Sequence, residues 1–387
     1  MHPYRSVVQA MLIGASFVGC SGRGEEDLAE DSGTTPEHDQ GASAHVDDVN
    51  EVRADAGEGA ATASVRASKA ALSPDLDLGL DCTTDAGHET LLGCTGLYVR
   101  WDTKTLSPDV KEYDPALHLW SDGATKTRYV LLPPGHAIDT HEMDEWVFPV
   151  GTKLWKEFRI DGKRVETRYE EKLADGTWFR TTYAWSADQT TAEEVTLGVR
   201  DVWGTGYDIP AQSDCAKCHN GRIDGVLGFE AVGLSHPQAT GMTMGQLVSA
   251  GLITNPPPAP IRIPGNAVES AALGWLHANC GTSCHSKSPS STAGWTKLHM
   301  RLDVASMATV QETETWKTTV NLESHFQPTP GQTFFKIKPR DVEHSAIPYR
   351  DGRRDDDVVK NVQMPPLATK LVDTSGVQLI KDWINAM

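Results

Sequence analysis

Lys153-Leu154-Trp155-Lys156-Glu157-Phe158-Arg159-Ile160, then Asp161-Gly162, then Val165-Glu166-Thr167-Arg168-Tyr169: this stretch decides the fold of the first half of the chain. Apolar and polar residues alternate with a period of two, which puts one set on each face of a strand. Asp-Gly between two such runs is a hairpin signal, because the favoured two-residue turn needs positive φ at both positions. The pattern extends outward. Thr127-Arg128-Tyr129-Val130-Leu131-Leu132 precedes it across Pro133-Pro134-Gly135, and Thr177-Trp178-Phe179-Arg180-Thr181-Thr182-Tyr183-Ala184-Trp185 follows Asp175-Gly176. An antiparallel β domain within residues 76–205 is therefore expected. Its Trp and Tyr residues read as core packing, with a face for a sugar or aromatic ligand as the alternative. His136 and His141, beside a Pro-Gly loop, read as surface residues. No nucleophile–base pair and no tight group of metal ligands occurs in this region.

Composition narrows the rest. At 387 residues the chain has room for roughly two or three domains. Lys plus Arg is 35 against 53 Asp plus Glu, a net charge of −18, which excludes a basic nucleic-acid surface as its main business. No run of about 18 apolar residues occurs, so a polytopic membrane protein is excluded.

Beyond residue 210 the pattern changes to short helices and loops. Val268 to Asn279 and Thr374 to Ile384 carry apolar residues at helical spacing. Within this region stands Cys215-Ala216-Lys217-Cys218-His219, a C-x-x-C-H motif. In an exported chain it reads as covalent haem c attachment. One helical turn presents two thiols to the two haem vinyl groups, and the adjoining His219 meets the iron. Cys280-Gly281-Thr282-Ser283-Cys284-His285 is one residue longer, C-x-x-x-C-H. Its extra residue must bulge for both thiols to reach, which Gly281 and the small Thr and Ser permit. The sixth ligand of the first haem is left open among His236, Met242, Met244 and an uncoordinated position.

The N-terminus supplies the address. Arg5 precedes an apolar stretch, Val7 to Gly19, too short to span as a helix, and Phe17-Val18-Gly19-Cys20 resembles a lipobox. Residues 1–19 are thus expected to be a lipoprotein signal peptide with lipidation at Cys20; an incidental cysteine in an ordinary leader is the alternative. Residues 21–60 hold 12 acids and two bases and no aromatic. Such a segment cannot offset its ordering entropy, so 20–75 reads as a disordered acidic tether. The expected localisation is export, with a lipid anchor in the cell envelope, facing the periplasm or in the outer membrane. Ser21 after the lipidated cysteine points to the outer membrane. In that oxidising compartment Cys82 and Cys94 are expected to form a local disulfide, two free thiols being the alternative.

Two resemblances follow from these residues. Residues 265–387 look like a class I cytochrome c domain, with a helix before the haem motif, Met364-Pro365-Pro366 after it, and a C-terminal helix. That resemblance implies His285 as proximal and Met364 as distal ligand. The chain departs from the pattern in its x3 spacing and in the separation of 79 positions from His285 to Met364. A wider resemblance rests on Leu119-Trp120-Ser121-Asp122-Gly123, Leu131-Leu132-Pro133-Pro134-Gly135, Trp146-Val147-Phe148-Pro149-Val150-Gly151-Thr152, Ser213-Asp214-Cys215 to Asn220, Leu227-Gly228-Phe229 and Ala278-Asn279-Cys280 to Met364-Pro365-Pro366. It is similar to a bacterial family of exported dihaem c-type cytochromes with an N-terminal β domain, often lipoproteins. The resemblance implies an α+β chain: a β domain (76–205), a first haem c segment (206–262) and a cytochrome c-like domain with an insertion (263–387).

The expected function is a membrane-tethered dihaem electron carrier with two covalently bound haem c groups. Its redox partner proteins are unidentified, its membrane contact is through the lipid anchor alone, and it binds no nucleic acid. Three alternatives stand beside it. One is a dihaem peroxidase-like enzyme with one open iron and His236 as acid–base residue. Another is a zinc protein using Cys215, Cys218, Cys280 and Cys284. The third is a β module that docks a dehydrogenase, with the haems as electron outlet. Arg340, Arg350 and Lys336 read either as partners of haem propionates or as part of a solvated face.

Overall fold

The computed structural model describes residues 80, 82, 88–356 and 360–387. The leader, Cys20 and the whole of the acidic tether lie outside the described residues. The described chain opens with a disulfide between Cys82 and Cys94, whose Cα atoms are 5.5 Å apart.

Nine strands follow in chain order: β1 Tyr98–Arg100, β2 Thr105–Leu106, β3 Lys111–Asp114, β4 Thr125–Leu131, β5 Lys153–Ile160, β6 Lys163–Lys172, β7 Trp178–Trp185, β8 Ala192–Glu194 and β9 Thr240–Gly241. Strands β1 and β2 pair with each other. The other seven form one antiparallel sheet in the order β8-β7-β6-β5-β4-β3-β9. The β5–β6 hairpin turns at Asp161 and Gly162, with φ of 48° and 78°. This is the doubly left-handed geometry that Asp-Gly favours in a two-residue turn.

Both faces of this sheet are covered, and the alternation along β4–β7 assigns each side chain to one of them. Tyr129, Trp155, Tyr169, Tyr183 and Trp185 point to one face and pack with Leu92, Leu97, Tyr98 and Trp101 from the preceding segment. Trp101 stacks on Trp185 at 5.3 Å. The Trp and Tyr content of the β region thus fills a core. His136 and His141 are exposed.

The helices are α1 Cys215–His219, α2 Ala231–Ser235, α3 Met244–Ser249, α4 Ala267–Leu276, α5 Glu314–Thr319, α6 Ala346–Asp351 and α7 Thr374–Ala386. Helix α4 begins with a capping box between Asn266 and Glu269, which satisfies its first free N–H groups. Asp373 caps α7 and also accepts the Trp275 indole N–H at 2.7 Å, tying α7 to α4. Val130, Leu154 and Phe148 of the sheet region share one core with Leu273 and Leu276 of α4 and with Ile380, Trp383 and Ile384 of α7. An antiparallel sheet plus short helices is the α+β class expected from the sequence. No helix of the described residues is long and apolar enough to cross a membrane.

Candidate haem site

Below that shared core, the second face of the sheet borders a cavity of about 560 Å³, within the range of cofactor pockets. Cys215, Cys218 and His219 line it from α1, and Cys284 lines it from the second motif. All four motif cysteines are free thiols. Burial raises the pKa of each of them, Cys284 to about 11. Among the described residues no three His, Cys, Asp or Glu side chains converge to hold a metal ion. The zinc arrangement is therefore not the one this geometry makes.

His219 is oriented like an iron ligand. Its Nδ1 lies 2.6 Å from the Gly225 carbonyl and 3.3 Å from Glu170 Oε2. Both neighbours are acceptors, so Nδ1 carries the proton and the Nε2 lone pair is left for a metal. Burial pulls the ring down to about 4 against the opposing pull of Glu170, so the imidazole is neutral at pH 7. Gly225 has φ +65°, and a Cβ there would sit 2.1 Å from the His219 carbonyl oxygen. Only glycine lets this carbonyl reach the ring. Two thiols, a neutral histidine with a free Nε2 and a cavity of this size are the donor set that a covalently held haem requires. The first motif fits the group.

The second motif absorbs its extra residue in a specific way. Residues His277–Gly281 form a π turn that continues α4. Thr282 N–H donates to His277 O at 2.9 Å and His285 N–H to Cys280 O at 2.8 Å, each five residues back. In a C-x-x-C-H motif the histidine N–H reaches the first cysteine's carbonyl four residues back, as in an ordinary helix. One inserted residue with one π turn keeps the same pair of groups bonded. Gly281 is needed here because a Cβ would lie 2.3 Å from Arg301 N and 2.4 Å from Met300 C.

His285 is buried, and its Nδ1 lies 3.3 Å from Thr296 Oγ1. The Thr296 hydroxyl already donates to Ala293 O at 2.7 Å, so it accepts from Nδ1–H and again leaves Nε2 free. Burial, with Arg350 nearby, pulls the pKa of this ring to about 4. Met364 stands at a cis peptide to Pro365, with its N–H on Arg350 O at 3.2 Å. Met364 and Cys280 share a cleft of only about 10 Å³ with Trp120, Trp275 and Asp351. That cleft adjoins the large cavity, where Pro365 and Pro366 of the same loop form part of the wall. Cys280 and Cys284 thus face different spaces, and His285 lines neither. The side chains of the second motif do not enclose a haem-sized volume in this arrangement.

The two motifs are knitted together. Ser286 Oγ donates to Gly221 O at 3.1 Å, Ser290 Oγ to Asn220 O at 2.6 Å and Thr292 Oγ1 to Lys217 O at 2.9 Å. Of the three sixth-ligand candidates for the first haem, none lines the cavity. Met244 is buried in the main core, Met242 packs against that core, and His236 is half-buried on the loop after α2. Reasoning from chain distance missed His277, which lines the cavity. Its Nδ1 accepts the Leu302 N–H at 2.9 Å, so Nε2 carries the proton and faces Glu230 at 3.5 Å. That tautomer makes His277 a hydrogen-bond donor and not an iron ligand. A histidine three residues before Cys280 was the available signal.

Comparison with protein-family models, curated proteins and solved structures found no match to the chain.

Proposed function

We propose that this chain is an exported c-type cytochrome that carries electrons in the cell envelope, tethered by lipid at Cys20. The observation that carries the reading is the first motif: Cys215, Cys218 and His219 on one cavity of about 560 Å³, with the His219 Nδ1–H bonded to Gly225 O. Haem attached there would be held by Cys215 and Cys218, with His219 Nε2 on the iron. The group itself supplies one-electron chemistry between ferric and ferrous iron. The protein supplies burial, a fixed neutral imidazole and exclusion of water. The wider proposal is a dihaem carrier, with the second haem on Cys280 and Cys284 and with His285 and Met364 as its ligands. The π turn and the His285 tautomer support that second attachment; the separation of Cys280 from Cys284 counts against it.

The test is intact mass and a reduced pyridine haemochrome spectrum on chain matured by a c-type assembly system. Two covalent haems establish the dihaem carrier. One haem, lost with Cys215→Ala but kept with Cys284→Ala, restricts the function to the first motif. No haem refutes the reading.

A second reading, a peroxidase-like enzyme with an open first iron, is favoured by one observation. None of His236, Met242 and Met244 lines the cavity, whereas His277, a hydrogen-bond donor next to Glu230, does. A high-spin ferric haem that binds carbon monoxide on reduction supports this enzyme; fully low-spin haem supports the carrier.

A further inference from the structure

Cys284 is the thiol of the second motif that opens on the cavity of the first. Cys280 faces the small cleft beside Met364 instead. The turn Ser291-Thr292-Ala293 bonds to both motifs at once. The Ser291 hydroxyl and the Ala293 N–H, the latter at 3.1 Å, both donate to the Cys284 carbonyl. The Thr292 hydroxyl between them donates at 2.9 Å to the Lys217 carbonyl, which belongs to the peptide bond entering Cys218.

A second set of contacts presses the same two segments together. Gly221, three residues after Cys218, packs so closely that a Cβ there would sit 2.5 Å from the carbonyl oxygens of Thr282 and Ser283. Ser286, two residues after Cys284, donates its buried hydroxyl to the Gly221 carbonyl at 3.1 Å. Contacts between the segments thus flank Cys218 and Cys284 on both sides, and both thiols line the one cavity. The charge of Cys218 reaches Cys284 and adds to the rise that burial imposes on its pKa. Cys215, one turn earlier on α1, has Arg168, Glu170 and Arg180 of the sheet as its charged neighbours.

We propose that Cys218 and Cys284 join as a disulfide before haem is attached, a covalent link between the two motifs. A disulfide needs its Cα atoms within about 7 Å, a spacing suited to residues whose flanking backbones touch. Each thiol gives up its hydrogen as the Sγ–Sγ bond forms. A disulfide oxidant takes up the two hydrogens with their electrons and leaves as two thiols. The bond spans a separation of 66 positions and stabilises the fold chiefly by restricting the unfolded chain. The pairing stands on the contacts between the motifs. Its consequence for maturation rests on the haem reading: a thioether at Cys218 requires that the bond first be reduced. That reduction frees one thiol in each motif at once.

The full chain, purified without haem, is reduced, treated with glutathione disulfide, alkylated and cut with trypsin. Cleavage after Lys217 parts the two cysteines of the first motif, giving 201–217 with Cys215 and 218–222 with Cys218. Both cysteines of the second motif fall in 263–287. The expected product is 218–222 linked to 263–287, retained in Cys280→Ser and lost in Cys284→Ser. Far-UV circular dichroism checks that each variant keeps the fold. Oxidised wild type is expected to melt about 5–10 °C above oxidised Cys284→Ser. A bond between 201–217 and 218–222 overturns the proposal. So does a link to 263–287 that survives Cys284→Ser, or full alkylation of Cys218 and Cys284 in the folded chain. Chain matured with haem is expected to lack the link, and haem held with the link intact overturns the proposed order. A matured chain carrying no haem refutes the haem reading and leaves the pairing to stand on the digest.

Discussion

Gly281→Ala tests the π-turn account of the second motif. The new Cβ would lie 2.3 Å from Arg301 N and 2.4 Å from Met300 C, both backbone atoms. Ordinary contact begins near 3.5 Å, so the 300–301 backbone must retreat by about 1 Å. That strand of chain holds the motif through two bonds: Met300 N–H to His285 O at 2.8 Å, and Leu302 N–H to His277 Nδ1 at 2.9 Å. Losing both costs about 2 kcal/mol net. Overpacking adds about 1–3 kcal/mol. The expected destabilisation is about 3–5 kcal/mol, read as a fall in urea midpoint at constant m-value by tryptophan fluorescence. A loss below about 1 kcal/mol would mean that the neighbouring backbone yields freely. The π turn would then not depend on a glycine at this position.

Gly225→Ala displaces the carbonyl that orients His219; loss of such an orienting bond typically costs about 10–100-fold in metal affinity. On the proposed haem reading, covalent attachment is kept while the ferric spectrum moves toward high spin; an unchanged spectrum refutes the orienting role. Lys172→Met strips the partner from Asp224, whose Oδ2 lies 2.7 Å from Lys172 Nζ and also accepts the Phe148 N–H at 2.7 Å. A cost of about 3–5 kcal/mol in chemical denaturation is expected, and most of it returns in Lys172→Met with Asp224→Asn, which removes the unpaired charge and keeps an acceptor for the Phe148 N–H. Burial pushes the Asp351 carboxyl up from 3.8 to about 7 against Arg354 and Arg350. Its folded value exceeds its unfolded one, so the folded state binds the proton more tightly and stability is lost as pH rises from about 4 through 7. Asp351→Asn should match wild type near pH 3 and exceed it at pH 8 by on the order of 4 kcal/mol; parallel pH profiles would refute this.

How much of this was legible depended on whether the signal was local. Strand β5 spans the same residues, Lys153–Ile160, that alternation picks out, and Asp161-Gly162 makes the turn its chemistry favours. Helix α7 starts at Thr374, where the apolar spacing begins. Strand β9 was not legible: two residues, Thr240–Gly241, carry no period and pair with β3 only because α2 and α3 place them there. The sixth-ligand candidates show the same limit. Chain distance from Cys218 allowed His236, Met242 and Met244, but α2 and α3 pack against the sheet edge and the main core, away from the cavity. A row of cations on the sheet was hidden differently. Arg128, Lys156 and Arg168 each read as the polar half of an alternating strand, and only the register of three strands reveals them as neighbours.

That register bears on why the β domain and the two cysteine-histidine motifs belong to one chain. A C-x-x-C-H helix of five residues has little surface with which to hold a porphyrin. Here α1 instead stands beside a rigid seven-stranded sheet, and Glu170 of β6 reaches both His219 and the cations Lys156 and Arg180. The same carboxylate thus orients the imidazole and partly neutralises the row. Moving the sheet relative to α1 would cost the His219 contact and expose buried charge together. On this reading the β domain needs no ligand of its own to be functional: it is the second half of the haem site. Glu170→Gln should therefore disturb the haem spectrum and the redox titration together, whereas a β domain that only docks partners would leave both unchanged.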